Sequence, residues 1–364
     1  MPYIYAVLFF VLGAALSGWL NRLIHRLPRA ESLSGPSHCM HDNCKHPLAL
    51  SEQVPLVSYL SQGGRCKHCG KRYSPRYFWV EVFTACAFAT LAYAFPLHQY
   101  PVMTLLLCLM TGVLVVFSAI DFETRTIEFK QAMLLIPLGL LTVFLGGWLY
   151  PDLKLPSVMN ALTAMCMAAG GFVLVNNYGS WIMRVFKEPR YPEHPIGFMT
   201  VNVAALVGAM FGIWWGVGAL AVMVLLNVIF KRVVRIPDFL TLPGLIVVVV
   251  MSLENNYFRH PEPIYNALTV AGIAVLIQAL YWSTQTLVDD DQYDPIAVGF
   301  GDVMLAAVMG AFLGSTGVAY GLIAMAATGI FFGVFSRIVF KEKQVPLAPF
   351  ITFGILLPFV MHWY

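Results

Sequence analysis

Apolar residues in this chain come in long blocks, without the strict alternation of a half-buried strand or the polar stripe of a water-facing helix. Runs of roughly 15 to 22 such residues are long enough to cross hydrocarbon as helices. They predict about twelve spans, at 3–21, 79–95, 102–120, 131–149, 157–178, 197–212, 214–230, 239–253, 264–284, 302–314, 316–337 and 346–363. The expected fold class is an all-α polytopic membrane protein: about twelve transmembrane helices plus a small cytoplasmic zinc-binding domain. The pattern divides it into a first helix at 1–21, a polar cytoplasmic domain at 22–78 and a membrane core at 79–364.

Composition agrees: 59% of the 364 residues are hydrophobic, only 11% are charged and the mean hydropathy is +0.73, which excludes an ordinary soluble domain. If the first span runs outside to inside, the cytoplasmic loops are 22–78, 121–130, 179–196, 231–238, 285–301 and 338–345. Every Lys and Arg except Lys154 and Arg259 then falls in or beside one of them, as the positive-inside rule requires. Orientation and anionic membrane lipid account for this basic charge, so no nucleic-acid partner is implied. The run from Tyr3 to Leu20 lacks a basic leader and reads as a span, not as a cleaved signal. On this topology Asp121 and Asp302 reach the same cytoplasmic boundary.

The loop from Arg22 to Phe78 is the one stretch long and polar enough to fold outside the bilayer. It carries Cys44, Cys66 and Cys69, with Cys39 or His41 to complete a four-ligand set. Two short-spaced pairs about twenty residues apart fit a structural, tetrahedral zinc site, which stabilises a domain with little core. A disulfide framework is disfavoured on a reducing cytoplasmic face. Cys86, Cys108 and Cys166 sit in apolar runs and read as small hydrophobes.

Candidate chemistry centres on Gly299-Phe300-Gly301-Asp302, a carboxylate at the mouth of a span. Asp is a good helix cap, but ionisable groups at membrane helices more often serve function. The segment is the second of a pair. Gly197, Phe198, Ala204, Ala205, Gly208, Ala209 and Gly212 recur at Gly299, Phe300, Ala306, Ala307, Gly310, Ala311 and Gly314, a constant offset of 102 residues. Thr200 stands where the second copy has Asp302. The offset contains four spans, so the copies, about 131–230 and 239–337, face the same way. Such repeats also build transporters, and a relay of Asp121, Asp238 and Asp302 is the rival reading from another class.

A run of motifs in one order carries a resemblance. Asn21-x-x-Ile24-His25-Arg26-Leu27-Pro28-Arg29 is followed by Cys44-x-His46 and Pro55-Leu56-x-Ser58-Tyr59-Leu60. Gly64-Arg65-Cys66-x-x-Cys69, Ser74-x-Arg76-Tyr77, Val80-Glu81, Ile120-Asp121-x-Glu123 and the GxGD motif at Gly299 complete the series. The chain resembles the type IV prepilin peptidases, bifunctional leader peptidases and N-methyltransferases of bacterial inner membranes. The resemblance implies an aspartic endopeptidase with Asp121 and Asp302 as its catalytic pair. Its substrates would be prepilins or pseudopilins, cut between a basic leader and an apolar helix. It further implies methylation of the new N-terminus from S-adenosylmethionine, for which no Rossmann-type glycine turn is present. Asn21 and Glu81 are polar candidates to line such a site, or a wetted boundary.

The chain departs from the family pattern in informative places. The family's Pro-Asp, expected soon after Asp121, is replaced by Glu128-Phe129 and reappears at Pro237-Asp238, while Phe230 takes the catalytic position of that second copy. Asp238 is thus an alternative partner for Asp302. His41 stands at the first zinc-knuckle cysteine, Met304 where a lysine is common, and Ser17-Gly18-Trp19 where Gly-Ser-Phe is expected. The acidic run Asp289-Asp290-Asp291 with Asp294 is a candidate attractor for a basic leader. An inactive relative kept for assembly is a further alternative.

Overall fold

The computed structural model describes residues 2–29, 31–35, 37–39, 44, 46–49, 52–185, 195–231, 234, 236–254, 262–284, 298–339 and 345–364. The apolar blocks form helices because, without water, each backbone N–H and C=O must be satisfied within its own segment. In chain order these are α1 (Pro2–Arg26), α2 (Val57–Ser61), α3 (Arg76–Ala94), α4 (Pro101–Thr124), α5 (Phe129–Met133), α6 (Leu135–Leu149) and α7 (Val158–Met183). Then come α8 (Phe198–Phe211), α9 (Ile213–Phe230), α10 (Asp238–Glu254), α11 (Glu262–Ser283), α12 (Phe300–Val339) and α13 (Ala348–Val360). Among the described residues no strand forms, and eight helical segments are long and apolar enough to cross a membrane: the protein is an all-α, multi-pass membrane protein. Three apolar helices, Phe198–Phe211, Asp238–Ser252 and Ala348–Val360, are shorter.

The chain forms two compact units. The first comprises Met1–Thr126, Leu145–Lys154 and Leu322–Trp363. In it α1, α3 and α4 pack around Leu20, Ile24, Val80, Val116, Ala119 and Ile120, and α13 lies against α4. The close pairing of α1 with α3 rests on Gly13, where a Cβ would lie 2.9 Å from the Thr84 carbonyl oxygen. Among the described residues the polar lobe between α1 and α3 has little apolar core and includes, besides α2, two hairpin-like turns, with bridges pairing His38 with Pro47 and Arg65 with Arg72.

The second unit comprises Ile127–Phe144, Leu155–Gly321 and Tyr364, and there the sequence repeat has a structural counterpart. Gly212 ends α8 at φ 101, ψ 168, and Gly314 breaks α12 at φ 67, ψ −177. These are equivalent positions in a conformation that only glycine adopts without strain. The packing is reciprocal. α7 and α11 cross at Gly170 and Gly272, again 102 residues apart; a Cβ on Gly170 would collide with the Leu268 carbonyl, and one on Gly272 with the carbonyl of Cys166, the repeat equivalent of Leu268. In the same exchanged sense, Gly208 of α8 faces Asn266 and Val270 on α11, whereas Gly310 of α12 packs on Ala164 of α7, the equivalent of Asn266. The motif helix of each copy, α8 or the first half of α12, is seated on the other copy's long helix.

Candidate active site

Asp302 lies at the third residue of α12, in its first turn, and is 9% exposed. The helix starts there because the Asp302 and Val303 N–H groups both reach back to the Gly299 carbonyl, at 3.0 and 3.2 Å. The two motif glycines have separate steric reasons. A Cβ on Gly299 would stand 3.0 Å from Asp302 Oδ2, in the space the carboxylate uses. A Cβ on Gly301 would stand 2.5 Å from the Ile127 carbonyl oxygen, so the helix can approach that backbone only without a side chain. Phe300 anchors the turn between Phe129, at 5.3 Å between ring centroids, and Trp282, at 4.9 Å; its repeat equivalent Phe198 is 6.4 Å away. From Gly301 to Gly314 every residue is buried. The motif aspartate is therefore in the first turn, three residues inside the Gly299 cap.

Asp121 is in the last turn of α4 and 5% exposed. Its Oδ2 accepts the N–H of Ala348 at 3.0 Å, the first residue of α13, where a helix N-terminus presents free N–H groups to an anion. One turn earlier Ser118 and Thr352 hydroxyls lie 2.8 Å apart, a second tie between α4 and α13. Beyond Asp121, Glu123 pairs with Arg76 at 2.7 Å, fastening the start of α3 to the end of α4. Asp121 belongs to the first unit and Asp302 to the second. Asp238, the alternative partner, is 3% exposed and accepts from Asn202 Nδ2 at 2.8 Å; Asn202 Oδ1 in turn accepts from Asn177 at 2.7 Å.

In the polar lobe the sulfurs of Cys39, Cys44, Cys66 and Cys69 all lie within 4.8 Å of one another, with Cys39 and Cys69 at 4.0 Å. Tetrahedral zinc with Zn–S bonds of about 2.3 Å sets its sulfurs roughly 3.8 Å apart, so the group is of the size to hold a metal ion. Two turns aim it: Cys39 N–H bonds the His46 carbonyl at 2.8 Å, and the Cys66 N–H and carbonyl bond Lys71 and Gly70, each at 2.9 Å. Burial pushes the Cys66 thiol up. Hydrogen bonds from the Cys69 backbone, Tyr73, the His68 backbone and Cys39 outweigh this and bring it down from 9.0 to about 6, so the thiolate a metal needs is present at neutral pH. Tyr73 is raised, by burial first and then by bonding to Cys66. Of the fourth-ligand candidates Cys39 is in the group, and His41 lies outside the described residues, as does the acidic run Asp289–Asp291 with Asp294.

Asn21 and Glu81 meet. Glu81 Oε1 lies 3.5 Å from Asn21 Nδ2, and Oε2 accepts the Leu56 N–H at 2.6 Å. Leu56, at φ 64, ψ −51, forms a strained three-residue turn closed by Val57 N–H to Pro55 O at 2.7 Å, a conformation that persists only when its surroundings hold it. Glu81 supplies that hold. Sequence reasoning singled out Glu81 but not this turn, since nothing about leucine signals a positive φ.

Comparison with known proteins covers both regions. Residues 11–95 match the Bacterial Peptidase A24 N-terminal domain, and residues 219–334 match the Type IV leader peptidase family. The second match includes Asp238 and Asp302; Asp121 lies between the two. A prepilin leader peptidase/N-methyltransferase of Aeromonas hydrophila is 28% identical over 302 residues, covering 76% of this chain and 92% of that protein. Its namesake in Vibrio cholerae is 28% identical over 224 residues, covering 58% and 80%. One from Myxococcus xanthus reaches 41% over 86 residues, 23% of this chain and 25% of that protein. No solved structure matches. With residues 11–95 and 219–334 both matched, together more than half of its length, the chain belongs to the type IV leader peptidase family.

Proposed function

We propose that this protein is a membrane aspartic endopeptidase that removes the basic leader of type IV prepilins and related pseudopilins. The observation that carries the reading is the Gly299–Asp302 turn: a buried carboxylate at the start of a helical stretch, Gly301 to Gly314, that is buried throughout, in a region matching the leader peptidase family. Its proposed partner is Asp121, six residues before Ile127, the residue Gly301 is shaped to approach. Two carboxylates held close cannot both ionise. One stays protonated and polarises the scissile carbonyl while the other takes a proton from water, which adds without a covalent enzyme intermediate. The pair then titrates as a unit.

Charge placement supports twelve crossings with both aspartates on the cytoplasmic side of a bacterial inner membrane, at the depth where a basic leader joins an apolar helix. Residues 22–78 form the cytoplasmic domain, with Cys39, Cys44, Cys66 and Cys69 holding structural zinc. Four ligands close such a site, so the ion stabilises the lobe and activates no water. The relatives' names support N-methylation as a second activity, with S-adenosylmethionine supplying the methyl group to the amine that cleavage exposes. Asn21 and Glu81, beside the strained Leu56 turn, are this chain's candidates to line that site.

The test is cleavage of a reporter with a basic leader ending in Gly before an apolar helix, by membranes carrying each variant. Asp121→Asn should abolish cleavage and Asp238→Asn should keep it, since Asp238 is already engaged by Asn202. The opposite pattern would make Asp238 the partner, and no cleavage by the unaltered protein would favour the inactive-relative reading. Separately, chelation should release one zinc per chain and leave the 27–75 segment open to trypsin. Retained protease resistance after metal loss would contradict a structural ion.

A further inference from the structure

The turn that carries Asp302 is tied at its upstream end by a side chain for which the proposed mechanism has no other use. Asn176, on α7, has no solvent exposure, and its Oδ1 accepts the Val298 N–H at 3.0 Å and the Ser180 hydroxyl at 3.4 Å. Only the oxygen of a carboxamide can face an N–H, so its orientation is set. Val298 directly precedes Gly299, whose carbonyl receives the Asp302 and Val303 N–H groups and whose missing side chain leaves room for the Asp302 carboxylate. One side-chain bond followed by two main-chain bonds thus fixes the backbone from Val298 to Val303.

The repeat provides an internal control. The equivalents of Asn176 and Val298 are Gln278 and Ile196. Gln278 is equally buried, yet among the described residues neither its Oε1 nor its Nε2 has a hydrogen-bond partner. The first copy's turn, which leads to Thr200, is secured elsewhere: Asn227 Nδ2 donates to the Pro195 carbonyl at 2.9 Å. The Asn176 tie therefore accompanies the copy with the aspartate and is not a requirement of the shared fold. It also spans the exchange, running from the first copy's long helix to the second copy's motif.

We propose that Asn176 is a positioning residue for cleavage, holding Val298 and Gly299 so that the Asp302 carboxylate stands where the reaction needs it. This rests on Asp302 being catalytic. Small misplacements of a reacting group cost rate more than binding. Asn176→Ala should therefore lower kcat for reporter cleavage about 10- to 100-fold, with KM within about threefold. Asn176→Asp, which keeps an acceptor oxygen in either protonation state, should restore most of that rate. Gln278→Ala should stay within about twofold of the unaltered protein, by the same positional argument.

Purified full-length protein would be assayed with Asp302→Asn alongside. Unchanged kcat in Asn176→Ala, an equal loss in Asn176→Asp, or an equal loss in Gln278→Ala would overturn the proposal, the last two outcomes pointing to packing alone. If Asp302→Asn is inactive while Asn176→Ala is normal, this inference fails and the catalytic reading stands. If Asp302→Asn still cuts, the catalytic reading itself fails.

Discussion

α8 and the first half of α12 descend from one pattern and have diverged in use. They share eight residues in register, Val201 and Val303 among them, the same glycine break at their ends and the same kind of seat on a long helix from the other copy. From Gly301 to Gly314, α12 is buried throughout, whereas α8 leaves Met210 and Phe211 exposed. At three positions in and just after the turn the copies differ, reading Met199, Thr200, Asn202 and Gly301, Asp302, Met304. Asn202 closes a chain of buried carboxamides onto Asp238, which satisfies that acid inside the bundle. Gly301 opens a close approach to Ile127. Duplication thus left one copy to fill space and balance a buried carboxylate, and the other to present one.

That contrast is exposed to mutation most severely at Gly301. Gly301→Met, the residue of the first copy, drives a side chain into the Ile127 backbone and should cost at least about a hundredfold in reporter cleavage. Met199→Gly should change it by less than about threefold, because α8 carries no carboxylate to displace. Comparable losses in the two would mean the copies are not functionally distinct.

Next come the crossing glycines that the copies share. Gly170→Ala and Gly272→Ala each place a methyl on the partner's carbonyl and should destabilise the protein by about 3 kcal/mol or more. Gly171→Ala, whose Cβ would meet only the tip of Leu268 at 3.8 Å, should be near neutral. Thermal unfolding in detergent would read all three, and a loss confined to one crossing glycine would break the reciprocity.

The smallest effects belong to the helix breaks. Alanine at Gly212 has open space and meets only the strain of a positive φ with extended ψ, about 1–3 kcal/mol. At Gly314 the same strain is joined by contacts of 2.6 Å with Asn160 and Pro156, so Gly314→Ala should unfold at the lower temperature of the two. The reverse order would show that the second break is the more adaptable.

Much of this was legible in the sequence because membrane helices declare themselves by apolar length: the predicted runs fall on helices, 131–149 on α5 and α6 together and 302–314 and 316–337 on either side of the Gly314 break, though among the described residues eight segments are long and apolar enough to cross a membrane where twelve were expected. The repeat could be read from small residues in register, and the GxGD turn from its glycines. The exchanged seating could not, since Gly208 on α11 and Gly310 on α7 are tertiary choices that leave no local pattern. Asn176 had a signal that went unused: Asn176-Asn177 is a polar pair inside an apolar run, and such pairs are rarely idle. The fourth cysteine was ambiguous for a different reason, because spacing alone admits both Cys39 and His41, and only the turn closing Cys39 onto His46 brings its sulfur to the group.

The most direct test of the account is reporter cleavage by Asp302→Asn and Thr200→Val side by side, at matched expression in the same membranes. The account predicts complete loss in the first and full activity in the second, because only the second copy's turn presents a catalytic carboxylate. Cleavage surviving in Asp302→Asn, or vanishing equally in Thr200→Val, would contradict it.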